Sequence, residues 1–207
     1  MTDRGTGPAR PRLSREDRHA QLLDVARGVI RTEGTDRLTL ARLAAGAGVS
    51  KPVVYDHFGD RNGVLTELYR EFAARQQASL AAAVRDAEPD LHAVIGVVAG
   101  AYIDCCLAEG RELADVVAAL AASPALERLR REAEDAYLDR CRRALEPHCR
   151  SLDAAGLRAV VGAGDALARD AIAGRIGAAE ARSALARVIT ALTGPNDSAE
   201  TNRRTPS

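Results

Sequence analysis

Apolar residues recur along most of this chain at the spacing of one helical face. Leu22, Val25, Ala26, Val29 and Ile30 follow the 3, 4, 7, 8 rhythm of an amphipathic helix. Ser14 stands ahead of them as an N-cap, Asp17 supplies a first-turn acid, and Gly34 ends the run. A short second helix opens at Thr39 and carries Leu40, Leu43, Ala44 and Ala47 before Gly48. Ser50 caps a third that reaches about Phe58, with Pro52 in the first turn, where its missing N–H costs little. Gly59-Asp60 then restarts a fourth helix that continues to roughly Asp86. Short helices joined by a tight glycine-containing turn form a helix-turn-helix arrangement. Further on, breaks at 89–90, 109–110, 123–124, 147–151 and 174–177 predict helices near 90–108, 111–121, 125–146, 152–173 and 178–193. No segment alternates apolar and polar residues as a half-buried strand does. The pattern predicts an all-α protein in four parts: a flexible basic arm over 1–13, a helix-turn-helix domain over 14–60, a larger helical domain over 61–193, and a disordered tail over 194–207.

Composition narrows the classes. Of 207 residues 46% are hydrophobic and 28% charged, the balance of a soluble globular chain rather than a disordered one. The net charge of zero hides a bias. Residues 1–63 hold 11 basic and 8 acidic side chains, and the remainder hold 18 and 21, so the front is mildly basic and the rear mildly acidic. No apolar run is expected to approach the roughly 18–20 residues that cross a bilayer. The polar N-terminus lacks the apolar stretch of a secretory signal. Cys105, Cys106, Cys141 and Cys149 show no paired metal-ligand spacing, which argues against a zinc site or a disulfide framework. The expectation is a cytoplasmic protein with reduced thiols, no membrane association, no metal and no cofactor. An enzyme finds no support either: His19, His57, His92 and His148 are scattered, there is no Gly-rich phosphate loop, and no nucleophile has a neighbouring base in view.

Residues 39–61, TLARLAAGAGVSKPVVYDHFGDR, carry the most specific signal. Thr39, Leu43-Ala44, Ala47-Gly48-Val49-Ser50 and Tyr55-Asp56-His57-Phe58 resemble, in the same register, the DNA-binding motif of the tetracycline-repressor-like (TetR) regulators. The resemblance covers roughly residues 14–72. It implies that Thr39, Tyr55 and His57 contact phosphates, that Lys51, Pro52 and Val53 meet bases or their methyl groups, and that Arg42 projects towards DNA. Where the family usually has lysine at the start of the fourth helix this chain has Arg61, which keeps the phosphate-pairing charge. The residues support this division by themselves. Val54 and Phe58, four apart, turn inward, while Pro52, Val53 and Asp56 turn outward and Tyr55 and His57 take the flanks. Ser50 caps the helix and lies within reach of phosphate. Asp56 departs from the pattern, because an outward carboxylate is repelled by phosphates unless it accepts from a cytosine amino group. Taken singly, Tyr55 and Phe58 also fit core aromatics and the basic arm also fits a solvated tail; the joint spacing favours DNA.

The resemblance further implies a double-stranded palindromic operator bound by a homodimer that pairs through its last two helices, a small-molecule effector held in the second domain, and repression relieved by that effector. Residues 154–172 and 178–193 are dense in Ala and Gly, which suits close helix approach across a two-fold axis or, equally, packing within one chain. The long fourth helix is the expected lever between the two domains. Tyr102, Cys106, Leu107, Asp115 and Tyr137 are conceivable ligand-lining residues, each also consistent with ordinary core or surface. Aromatic residues are scarce, so an aliphatic pocket is expected rather than one walled by rings. The cysteines read as small buried hydrophobes. The alternative function is a helical small-molecule carrier or thiol-redox sensor with little operator specificity.

Overall fold

The structure, a computed structural model, describes residues 13–149 and 152–193. Of the arm expected over 1–13 only Leu13 is described, and the tail expected over 194–207 lies outside the described residues. Every regular element among the described residues is helical. The chain divides into two compact units, Met1–Val64 and Leu65–Ser207, with the division falling inside one helix.

In the first unit α1 (Arg15–Glu33) begins at Ser14, whose Oγ accepts from the Asp17 N–H at 3.0 Å and donates to the Asp17 carboxylate at 2.7 Å. A single 3-10 turn at Thr35–Arg37, not anticipated from the sequence, leads to α2 (Leu40–Ala47). The Thr39 hydroxyl caps α2 by accepting from the Arg42 N–H at 3.1 Å. Gly48 closes α2 in the left-handed region, at φ 65°, where a side chain would be strained. After the turn, α3 (Lys51–Phe58) starts at Ser50, but the Ser50 hydroxyl makes no capping bond, which corrects the expected cap. With Pro52 in the first turn, one of the amide donors that such a cap would satisfy does not exist.

The core of this unit gathers Leu22, Leu23, Ala26, Val29 and Ile30 of α1, Leu43 and Ala44 of α2, and Val54 and Phe58 of α3. Burying each of the larger side chains stabilises the unit by roughly 1.5–3 kcal/mol relative to exposure. Close approach is built in at Gly46, where an added Cβ would lie 2.7 Å from Val25 Cγ1. A tighter constraint sits at Gly63, where a Cβ would stand 1.9 Å from the Phe58 carbonyl oxygen.

Helix α4 (Arg61–Arg85) runs across the division into the second unit, which also holds α5 (Leu91–Ala121), α6 (Pro124–Leu145), α7 (Ala154–Ile172) and α8 (Ala178–Leu192). Asp90 caps α5 through the His92 and Ala93 amides, and Asp153 caps α7 through the Gly156 amide. The two helices expected over 90–108 and 111–121 are the two segments of α5, which meet at a kink where Gly110 takes the non-helical φ 62° and ψ −148°. Around α5 pack α6, α7 and α8, burying Val98, Ala99, Ile103, Leu145, Leu185 and Ile189 among others. Leu91–Gly110 is long and apolar enough by length and composition to cross a bilayer, contrary to the expectation that no run came near that length. Asp104 and the many small residues disguise the run in the sequence, and in the fold it is the central core helix of this unit.

Candidate nucleic-acid interface and ligand cavity

Helix α3 is anchored by the fully buried Val54 and nearly buried Phe58, and this fixes what its other face presents. Lys51, Pro52, Tyr55 and Asp56 are exposed and Val53 is half-buried. Tyr55 is the most open of these, with 56% of its surface exposed. His57 is held differently. Its ring lies 5.5 Å from that of His19 on α1 and 6.0 Å from Phe58. Burial, with the nearby His19 and Arg15, pushes its pKa below the ordinary histidine value, against the opposing pull of Asp56. The Arg15 guanidinium donates weakly, at 3.5 Å, to the Asp56 carbonyl, so α1 and α3 are tied at this point.

The two arginines assigned to DNA are both engaged. Arg42 is exposed, but its guanidinium grips the Glu33 carboxylate through Nε at 3.1 Å and Nη2 at 2.6 Å. Glu33 was not singled out in the sequence, since its partner is nine residues away and on another helix. Arg61 is half-buried and donates from Nε to the Leu38 carbonyl at 3.1 Å and from Nη2 to the Thr35 carbonyl at 2.9 Å. It fastens the 3-10 turn to the start of α4, so part of its fork is committed within the fold. Thr39 uses its lone pair for capping and keeps its O–H free to donate outward.

The second unit contains a cavity of about 310 Å³, at the small end of the range for ligand pockets. Tyr102, Cys106 and Tyr137 line it; Leu107 and Asp115 are not among its lining residues. Helix α4 contributes Tyr69, Phe72 and Gln76, at i, i+3 and i+7, a helical face that was legible in the sequence but not read as a lining. The expectation of an aliphatic pocket is overturned. Tyr69, Phe72, Tyr102 and Tyr137 are all the aromatic residues beyond residue 58, and every one of them lines the cavity. Scarcity in the composition says nothing about how three helices concentrate the rings they have. Tyr102 meets Tyr137 edge-on at 5.6 Å, and Gly164 makes the room for it, since a Cβ there would lie 2.6 Å from the Tyr102 ring.

Polar groups punctuate these walls. The Tyr102 hydroxyl donates to Asp165 Oδ1 at 2.5 Å. Arg130 is clasped by Glu127 and by Glu134, the latter at 2.7 Å. Burial drives the Tyr69 hydroxyl up to about 12 and those of Tyr102 and Tyr137 well above their ordinary value, so all three phenols are protonated donors at neutral pH. The four cysteines are buried free thiols. Burial raises Cys105 to about 11 and Cys106 and Cys141 to about 12, which suppresses the thiolate that oxidation requires.

A helix-turn-helix whose second helix is anchored inward and open outward, followed by a larger helical unit, defines a helix-turn-helix protein by class. Residues 22–68 match the family described as bacterial regulatory proteins, tetR family. The HTH-type transcriptional regulator EthR of Mycolicibacterium smegmatis is 33% identical over 89 residues, which cover 43% of this chain and 40% of that protein. The match thus spans about two fifths of the length of that relative. The likeness to the TetR family in sequence is seated in residues 22–68, across the helix-turn-helix and the start of α4. The fold of the chain is shared, at a TM-score of 0.68 and 22% identity, with a TetR-like transcriptional regulator from Rhodococcus sp. RHA1, covering 86% of this chain and 96% of the other. EbrR, a multidrug binding protein solved in complex with imidazole, is similar at a TM-score of 0.66 and 20% identity over 86% of this chain and 97% of its own.

Proposed function

We propose that this protein is a cytoplasmic repressor that binds a palindromic operator as a homodimer and is released by a small molecule held in the cavity of its second unit. The observation that carries the reading is the outward face of α3, where Lys51, Pro52, Val53 and Tyr55 stand exposed or half-exposed over the buried Val54 and Phe58. A helix of this kind enters a major groove with its outward side chains on base edges and its flanks on phosphates. Thr39, Ser50, Tyr55 and His57 are the proposed phosphate contacts, with Arg42 and Arg61 contributing charge. One such helix reads one half-site, so two are needed about 34–36 Å apart to enter successive grooves.

Pairing through α7 and α8 suits the residues there. Ala155, Ala159, Gly162 and Ala166 form an exposed stripe of small side chains along α7, the type of surface that admits a close two-fold partner. A ligand with higher affinity for a differently spaced dimer draws population away from the DNA-competent one, and DNA must then weaken that ligand equally.

Fluorescence anisotropy with the DNA upstream of the protein's own gene, against scrambled DNA of equal length, tests the reading. Tight, sequence-preferring binding at two chains or more per duplex is the expected result. Equal, weak binding to both duplexes that collapses with salt would favour the second reading, a helical small-molecule carrier without a defined operator. That alternative draws on Asp56 and on the engagement of Arg42 by Glu33 and of Arg61 by backbone carbonyls. The thiol-sensor form of it is disfavoured by the burial of all four cysteines.

A further inference from the structure

The chemistry of the cavity walls is specific enough to define a ligand class. Three polar side chains that are largely buried line it: Tyr69 at 7% exposure, Gln76 at 9% and Tyr137 at 3%, the last with its hydroxyl buried and without an oxygen or nitrogen partner among the described residues. The Tyr137 hydroxyl has only the Cys141 thiol, a weak partner, beside it. A buried polar group without a partner is costly, by an amount comparable to a lost hydrogen bond. The Tyr137 hydroxyl is such a group, and with the Tyr69 hydroxyl and the Gln76 amide in the same wall it points to a molecule that satisfies all three. Two are phenols and act as donors, which calls for acceptor oxygens on the ligand; the Gln76 amide both donates and accepts.

Charge narrows the class again. Arg130 and Arg169 line the cavity with Glu134 and Asp165, so the lining carries no net charge, and Arg130 is already satisfied by two carboxylates. An anionic headgroup would meet no uncompensated cation in the buried part of the site, since Arg169 is exposed. Asp165 accepts from Tyr102 through one oxygen and retains capacity to accept a ligand hydroxyl. The apolar remainder is ring-rich, with Tyr69, Phe72, Tyr102 and Tyr137 supplied by three helices. Aromatic side chains favour offset-stacked or edge-on ring partners.

We infer that the cavity selects an uncharged aromatic molecule carrying both carbonyl and hydroxyl oxygens, in preference to a flexible aliphatic acid. The inference rests on the reading of this unit as the effector domain, and goes beyond it in naming the chemistry. Direct binding to the full-length protein, measured by calorimetry with 3-hydroxyflavone and with decanoic acid, tests it without reference to DNA. Saturable 3-hydroxyflavone binding at least tenfold tighter than decanoate is expected. Tyr137→Phe, which removes one oxygen and leaves the ring, should weaken it about tenfold, the equivalent of one hydrogen bond. Gln76→Leu should do the same, with the unfolding temperature of both variants at or above that of the parent.

Decanoate binding the tighter, neither compound binding, or Tyr137→Phe and Gln76→Leu both leaving 3-hydroxyflavone affinity unchanged would each overturn the inference. Whether the bound probe then releases operator DNA is a separate measurement. Binding without release would leave the assigned chemistry standing and instead count against the effector-domain reading.

Discussion

At the scale of single residues, the surface proposed to face DNA is governed by what each cation is already doing. Glu33 sits beside Arg42 and holds it in a two-pronged ion pair, while adding a carboxylate to a surface meant for phosphates. Glu33→Gln should therefore raise affinity for operator DNA a few-fold at low salt, by freeing the arginine and removing a repulsion. Anisotropy titration at two salt concentrations checks this, and unchanged affinity would show that Arg42 stays clear of the duplex. His57 makes the complementary case. In the free chain burial, His19 and Arg15 hold its pKa below the ordinary value, so it is neutral at neutral pH. A phosphate beside it would favour the charged form, and binding would then take up a proton. Affinity should rise as pH falls from about 7.5 to about 5.5, and His57→Gln should flatten that rise. These roles were only half legible in the sequence. Motif spacing pointed to Arg42, His57 and Arg61, but not to their partners, because Glu33, His19 and the carbonyls of Thr35 and Leu38 reach them only through tertiary packing.

Elements were more legible than residues, for a physical reason. Helix starts and stops rest on local chemistry, and Ser14, Thr39, Asp90 and Asp153 all cap through their side chains as short-range rules require. Ser50 did not, and the 3-10 turn at Thr35–Arg37 was missed because Arg61, 26 residues from Thr35, holds it in place. The junction of α3 and α4 is the least tolerant joint. Gly63 lies against the Phe58 carbonyl and donates its own N–H to Asp60 Oδ1 at 2.8 Å. Gly63→Ala should destabilise the first unit by about 2–4 kcal/mol, since the obstacle is backbone and cannot swing aside. Chemical denaturation followed by circular dichroism measures this, and an effect within a few tenths of a kcal/mol would mean that α4 restarts with far more freedom than its hydrogen bonds indicate.

For the molecule as a whole, the all-α architecture was readable from periodicity alone, whereas the cavity was not. Helical spacing identifies which residues share a face, yet which faces meet is decided by packing; hence Tyr69, Phe72 and Gln76 were passed over on a helix read only as a lever. The association surface is testable at this scale. Ala159 and Ala166 are exposed on α7, so Ala159→Glu and Ala166→Glu should change the unfolding of one chain by no more than about 0.5 kcal/mol each. If α7 and α8 pair two chains, the doubly charged face should yield monomers by sedimentation and lose operator binding, since a single reader holds one half-site.

Gly110 carries a consequence for motion. Its positive φ interrupts the ladder of a 31-residue helix, so α5 consists of two arms that need not open together. The first arm is seated in the core through Val94, Ile95, Val98, Ala99 and Ile103, whereas the second buries Val116 and Leu120 and leaves Ala114 and Ala118 exposed along the cavity. Amide hydrogen exchange should thus change abruptly near residue 110, with slow protons before it and fast ones after. Occupancy of the cavity should slow the second arm more than the first, which meets the cavity through Tyr102 and Cys106 and is already held by the core, giving a record of ligand engagement written in the backbone itself.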